Sequence, residues 1–227
     1  MASAALGALV AAKEEVGHLL GARKGRVLGS PAALQLDRVI GRAAIVLVSS
    51  HFERYVRAIN EEAIGVLNAS TIVSERIPEA IRVLHSKSSI EELGNTGWED
   101  RGEQLGEFVS TEGWLWTPGT HGVLKHERLL AWMKAPNPKN LVRYYGYWDI
   151  ADIFSALTRS KGTRGRLWLG VQELVDKRNN IAHGDYSEQA TKGDVRRFTA
   201  SILKFSTAAD RVLARAIKKM TGGVSPW

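Results

Sequence analysis

The chain has 227 residues, of which 44% are hydrophobic and 24% charged. That is enough apolar content for one sizeable core, and the charge fraction is too ordinary for a disordered chain. It contains no cysteine, which excludes disulfides and thiolate zinc sites and fits a reducing cytoplasm. The net charge of +7 is unevenly spread: residues 1–157 hold 17 Lys/Arg and 18 Asp/Glu, whereas residues 158–227 hold 14 Lys/Arg and 6 Asp/Glu. Such a basic final third suits an acidic partner, nucleic acid being the commonest; a solvated basic helix face is the other reading. The opening Met1-Ala2-Ser3-Ala4-Ala5-Leu6 has no basic residue before its apolar stretch, so no secretory leader is expected. The most apolar run, from Ala43 to Val48, is far too short to span a bilayer.

In chain order, residues 2–20 read as a helix with Leu6, Leu9, Val10, Val16, Leu19 and Leu20 near one side. A basic turn follows at 21–26. Ser30-Pro31 is a strong helix start, and the helix it opens runs to about Leu67. Leu36, Val39, Ile40, Ala43, Val46 and Leu47 keep helical spacing there, and Phe52, Val56, Ile59, Ala63 and Leu67 resume it. A shorter helix is expected near 78–93. Residues 94–147 are rich in glycine, tryptophan and tyrosine and read as an irregular insertion or cap, with short helices near 99–110 and 122–134. Regular helix returns at 148–158, 164–183 and 190–220, the last with an apolar stripe of Val195, Phe198, Ile202, Phe205, Ala209, Val212 and Ala216. The expectation is an all-α fold: one domain over 1–227, an up-and-down bundle of four to five main helices with the insertion on it.

The chemistry gathers at Arg178-Asn179-Asn180-Ile181-Ala182-His183-Gly184. On a helix from Leu167, the side chains of Leu167, Val171, Leu174, Val175, Ile181 and Ala182 can face the core. Asn179 and His183 then stack four apart on one face, and Arg178 flanks them. Gly184 is well placed to stop the helix. Arginine offers planar, always-charged donors to a phosphate, histidine moves protons near neutral pH, and Asn179 can orient the imidazole or hold a substrate oxygen. No metal-ligand spacing stands out, so no metal and no cofactor are expected. The natural nucleophile is then the 2′-hydroxyl of RNA. Read from these residues alone, the pattern is short and recurs by chance, and a surface arginine with a helix-capping histidine is its commoner meaning.

The motif resembles that of the HEPN superfamily, in which an Arg, a polar residue, a few variable residues and a His lie late in a helical protein before one more long helix. Arg178, Asn179 and His183 match those positions in order. Ser49-Ser50-His51-Phe52-Glu53-Arg54-Tyr55-Val56 is similar to the early family helix, where a Glu is often followed by an aromatic. The likeness covers about 31–67 and 148–220 and is nearest to the RiboL-PSP type of prokaryotic defence and toxin systems. It implies a helical bundle, a homodimer whose two motifs share one cleft, and metal-independent endoribonuclease activity on tRNA or mRNA. A cognate antitoxin or defence-complex subunit is the implied protein partner. The alternative it implies is a non-catalytic HEPN module acting as a regulatory, antitoxin-like or sensor subunit.

Catalytic roles are thus expected for Arg178, Asn179 and His183, and supporting roles for Glu53, Asp185 and Tyr186. Glu53 is alternatively a partly buried partner of Lys177 or Arg57. Arg159, Lys161, Arg164 and Arg166, with Lys177, are expected to contact the RNA backbone, or else to form a solvated connection. The aromatics of 114–148 could stack unpaired bases, pack the insertion on the bundle or dock a partner. His121 and His126, beside Glu127, are expected to be exposed, a metal site being the weaker reading.

Overall fold

A hydroxyl side chain opens each helix of the bundle. In the structure, a computed structural model that describes residues 1–22, 30–223 and 226–227, Ser3 Oγ accepts from the Leu6 N–H and starts α1 (Ala4–Gly21). Ser30 Oγ accepts from Ala33, with Pro31 at the first helical position, and starts α2 (Pro31–Ala69). Then come α3 (Glu79–Asn95), α4 (Arg101–Glu112), α5 (His126–Leu130), α6 (Pro138–Gly146) and α7 (Ile153–Leu157). Ser160 caps α8 (Lys161–Ala182) through Thr163. Thr191 and Asp194 form a reciprocal capping box at the start of α9 (Lys192–Met220). Among the described residues there is no strand, and no helix is long and apolar enough to cross a membrane. The basic turn expected at 21–26 falls mostly outside the described residues.

Specific contacts fix the topology. His51 of α2 meets Glu15 of α1 at 3.1 Å, and Ser3 bonds Asp210 of α9, so α1 runs against both neighbours. Tyr55 donates its hydroxyl to the Ser206 carbonyl at 3.0 Å, and Phe52 packs edge-on to Phe205, so α2 and α9 run together. Gly170 of α8 faces Ser201, and Glu173 pairs with Arg197, so α8 runs against α9. The result is an all-α up-and-down bundle of α1, α2, α8 and α9, with α3 to α7 inserted between its second and third helices.

The core is continuous with that inserted segment. Phe205 lies 5.3 Å from Phe154 and 6.5 Å from Tyr145, ring to ring. Tyr144, Tyr145 and Trp148 are fully buried, so these aromatics of the insertion pack it on the bundle and stack no bases. A regular helix, α6, stands where an irregular connection was expected. Asn137 caps it and Pro138 occupies its first turn, a start signal hidden among neighbouring prolines. The helix expected at 148–158 shortens to α7, because Asp149 takes a positive φ of 57° and breaks it. The helix expected near 122–134 shortens to α5. Its approach is irregular because Asn68 grips the backbone of Leu124 through both its oxygen and its nitrogen.

The stripe on α9 is buried as expected from Val195 to Val212. On α2 the pattern divides. Ile40, Ala44, Ile45 and Val48 face inward, while Val39 and Ala43 are exposed and Val46 and Leu47 half-buried. The first half of α2 is apolar on two sides, and the bundle covers one of them fully and the other, where Leu47 touches the core, only in part. The other side, with Arg42, Ser50 and Ile181 of α8, lines an open concavity of about 490 Å³.

Candidate functional site

The motif occupies the last turn of α8 and its cap. Gly184 has φ +83°, and the Asp185 N–H bonds the Asn180 carbonyl (3.0 Å) while the Gly184 N–H bonds that of Ile181 (3.2 Å). This is a Schellman ending, which places His183 at the C-cap with its ring at the surface. The imidazole engages no side chain among the described residues. Asn179 lies one turn earlier and is half-buried, its carbonyl accepting the His183 N–H at 2.9 Å.

Arg178 is held from two sides. Its Nη1 donates to Asn179 Oδ1 at 3.2 Å, and its Nη2 lies 3.8 Å from Glu53 Oε1 on α2. With the Arg178 and Glu53 side chains 35% and 27% exposed, the pair orients the guanidinium more than it stabilises the fold. Glu53 therefore partners the motif arginine itself, and neither Lys177 nor Arg57 takes that place. Within the motif, Ile181 is half-buried and packs against the core, whereas Ala182, expected to face it, is exposed.

Residues 184–190 after the motif are strapped to α2. Arg42 Nη1 donates to the carbonyls of Asp185 (2.6 Å) and Glu188 (3.2 Å), and its guanidinium sits 5.5 Å from the Tyr186 ring centre. Tyr186 is otherwise open to solvent. Lys177, expected among the phosphate contacts, has its ammonium bonded to Glu188 and to the Gln189 carbonyl. Asn180 Nδ2 reaches the other Glu188 oxygen at 3.1 Å. Hydrogen bonds from Lys177 and then Asn180 hold the Glu188 carboxyl below the usual range. Those from the Ser187 hydroxyl and N–H do the same for Asp185, which shapes the loop and reaches no other part of the motif. A β-carbon on Gly41 would meet the Ala190 carbonyl oxygen at 2.1 Å, so the loop lies directly on α2 backbone.

Arg159, Lys161, Arg164 and Arg166 cluster at the opposite, N-terminal end of α8. Arg164 donates to Ser155 Oγ at 2.7 Å and Arg166 to Thr163 at 3.3 Å, while Arg159 and Lys161 form no ion pair among the described residues. They approach the motif along the length of α8, not beside it. His126 is paired with Glu127 at 3.3 Å. No group of three His, Asp or Glu that could hold a metal ion occurs among the described residues. Two residues escaped the sequence reading: Arg42 and Gly41. A glycine inside a strongly apolar helical pattern is the one signal that marks a close backbone approach there.

The family model described as RiboL-PSP-HEPN matches residues 26–215, which contain Glu53, the whole motif and most of α9. No curated protein and no solved structure matches the chain. A match over that share of the chain, on a bundle whose third helix ends in Arg178, Asn179 and His183, makes this protein a member of the RiboL-PSP-HEPN family.

Proposed function

We propose that the chain is a metal-independent endoribonuclease of a prokaryotic defence or toxin–antitoxin system, working in the cytoplasm as a homodimer. The observation that carries this reading is the end of α8, where an oriented, half-buried arginine and an unengaged, exposed histidine meet in one motif. In the reaction the 2′-hydroxyl loses its proton and attacks the adjacent phosphorus. The bond to the 5′-oxygen breaks, and that oxygen takes up a proton. The products are a 2′,3′-cyclic phosphate and a 5′-hydroxyl end. Arg178 neutralises the charge that builds on the phosphoryl oxygens. His183 transfers a proton, and Asn179 keeps Arg178 aimed. Glu53 positions Arg178 from the far side.

Dimerisation is supported by the partly uncovered apolar side of α2. Val39, Ala43, Val46 and Leu47 meet Ile181 of the motif helix in the open concavity, and a second copy covering it would bring two motifs together.

The test is incubation of the purified chain with cellular RNA in excess EDTA. Cleavage that persists in chelator and disappears in Arg178→Ala and in His183→Ala is the expected result. Cleavage that needs added magnesium, or survives both substitutions, would overturn the mechanism. A chain that cleaves nothing yet co-purifies stably with a second protein is a non-catalytic HEPN module.

A further inference from the structure

We infer that the exposed stripe of α8 is a track for unpaired RNA, with Trp168 as its base-stacking platform. The inference rests on the ribonuclease reading above and names the form of RNA that the site takes.

Trp168 differs from the other tryptophans. Trp148 is fully buried, and Trp114 and Trp132 are packed against the core. Trp98 lies under the Arg101 guanidinium, and Trp116 under Arg82 with its indole N–H on Ser86. Trp168 is 41% exposed, and no hydrogen bond, ring contact or cation holds it among the described residues. Its neighbour Leu169 is 51% exposed. An uncovered indole on a bundle helix leaves apolar surface in water that packing could have hidden.

Its position gives it a use. Lys161, Trp168, Gln172, Asn179 and His183 are separated by seven, four, seven and four residues, so they fall on one stripe of the helix. The stripe begins at the positive charge of Lys161, two residues after Arg159, passes Trp168 and then Gln172, whose amide donates to Asp176 at 2.8 Å, and ends at the motif histidine. Trp168 and His183 are about 22 Å apart along the axis at 1.5 Å per residue, a length that several nucleotides cover. At the far end Tyr186, 90% exposed, presents a second ring beside Arg42. Two aromatic rings on a stripe that is positive at its start and ends beside Arg178 suit a strand whose bases are free to stack on protein. A duplex keeps its bases stacked on one another and gains nothing from the indole.

The experiment measures binding of a short, unstructured oligoribonucleotide with methylated 2′-hydroxyls, which cannot be cleaved, by fluorescence anisotropy. Trp168→Ala is expected to weaken binding about tenfold, with Trp168→Phe close to wild type. Binding to a duplex of the same sequence should not change in either variant, and neither should the oligomeric state. Unchanged single-strand binding in Trp168→Ala overturns the inference, as does a change of oligomeric state, which would make Trp168 a subunit contact. Cleavage of an unmodified strand, run in parallel with Arg178→Ala, separates the two readings. Trp168-dependent binding without cleavage sinks the ribonuclease and leaves the track. Arg178-dependent cleavage indifferent to Trp168 sinks only the track.

Discussion

The carbonyl oxygen of Ala190 lies where a side chain on Gly41 would begin, 2.1 Å from an added β-carbon. The loop that leaves His183 thus rests on bare helix backbone and is fastened beside that point by Arg42. Gly41→Ala must push the loop away, because the obstacle is backbone and not a flexible side chain. The expected outcome is a loss of about 1–3 kcal/mol in stability together with a marked fall in cleavage. Thermal unfolding and RNA turnover measured on one preparation check it.

Arg42→Ala separates the loop from the fold. It removes two hydrogen bonds and the Tyr186 contact without disturbing the helix packing. The melting temperature should move by only a few degrees, while amide hydrogen exchange at 185–190 accelerates and cleavage drops. Unchanged exchange in that loop would show that Arg42 does not fasten it.

Glu53→Gln keeps the shape of the side chain but removes the charge 3.8 Å from Arg178. Stability should change by less than about 1 kcal/mol, as for other partly exposed pairs. Turnover is expected to fall about tenfold through loss of orientation. KM should not rise, because a negative charge has left the path of a polyanion. Steady-state kinetics decides between this split and a loss confined to KM.

The packing of α8 on α9 can be tested at Gly170, where a β-carbon would come within 2.8 Å of Ser201 Cβ and Oγ. Gly170→Ala should cost about 1–3 kcal/mol. Adding Ser201→Gly should recover much of that cost, because the two positions share one space. Denaturant unfolding of the single and double variants measures the coupling.

Acid stability should be governed in the inserted segment by His85 and Glu112, 2% and 3% exposed. His85 Nε2 accepts the Lys125 N–H at 2.9 Å, so the ring's proton sits on Nδ1, 3.6 Å from Glu112 Oε2. Burial, reinforced by Arg128, holds the imidazole below its ordinary value of 6.5. Protons then bind the unfolded chain first, so stability is present above pH 6.5 and is lost as the pH falls toward the lower folded value. Burial would raise Glu112, but hydrogen bonds from Ser89, Arg128 and Ser86 outweigh it and leave it below 4.5, so its contribution is lost only below that pH. His85→Gln, whose amide oxygen can still accept from Lys125, should flatten the upper part of the pH profile and leave the lower part. Melting temperatures across pH 4 to 7.5 provide the measurement.

The bundle was legible because its signals are local. Ser30-Pro31, the stripe from Val195 to Val212 and the glycine after His183 each specify their own element. The candidate cluster was legible for the same reason: Asn179 and His183 are placed on one helix face by spacing alone. Glu53 was within reach by sequence, but its partner was not, because the choice among Arg178, Lys177 and Arg57 depends on how α2 crosses α8. Lys177 is taken by Glu188, a contact that a turn after Gly184 creates. The role of Arg42 depends on which distant backbone comes to lie against it, and so does the choice, for Tyr144 and Tyr145, of packing on the bundle over the other two readings; Gly41 carried only the signal of a glycine inside an apolar helix.

Ile181 belongs both to the motif and to the open apolar concavity on α2. Whatever covers that concavity closes on a residue two positions before His183, so the affinity of the covering surface and the rigidity of the reactive end share one free energy. If the proposed function holds and a second copy is the cover, RNA cleavage becomes a function of the protein's own concentration. Dilution alone would then silence it, and accumulation would arm it.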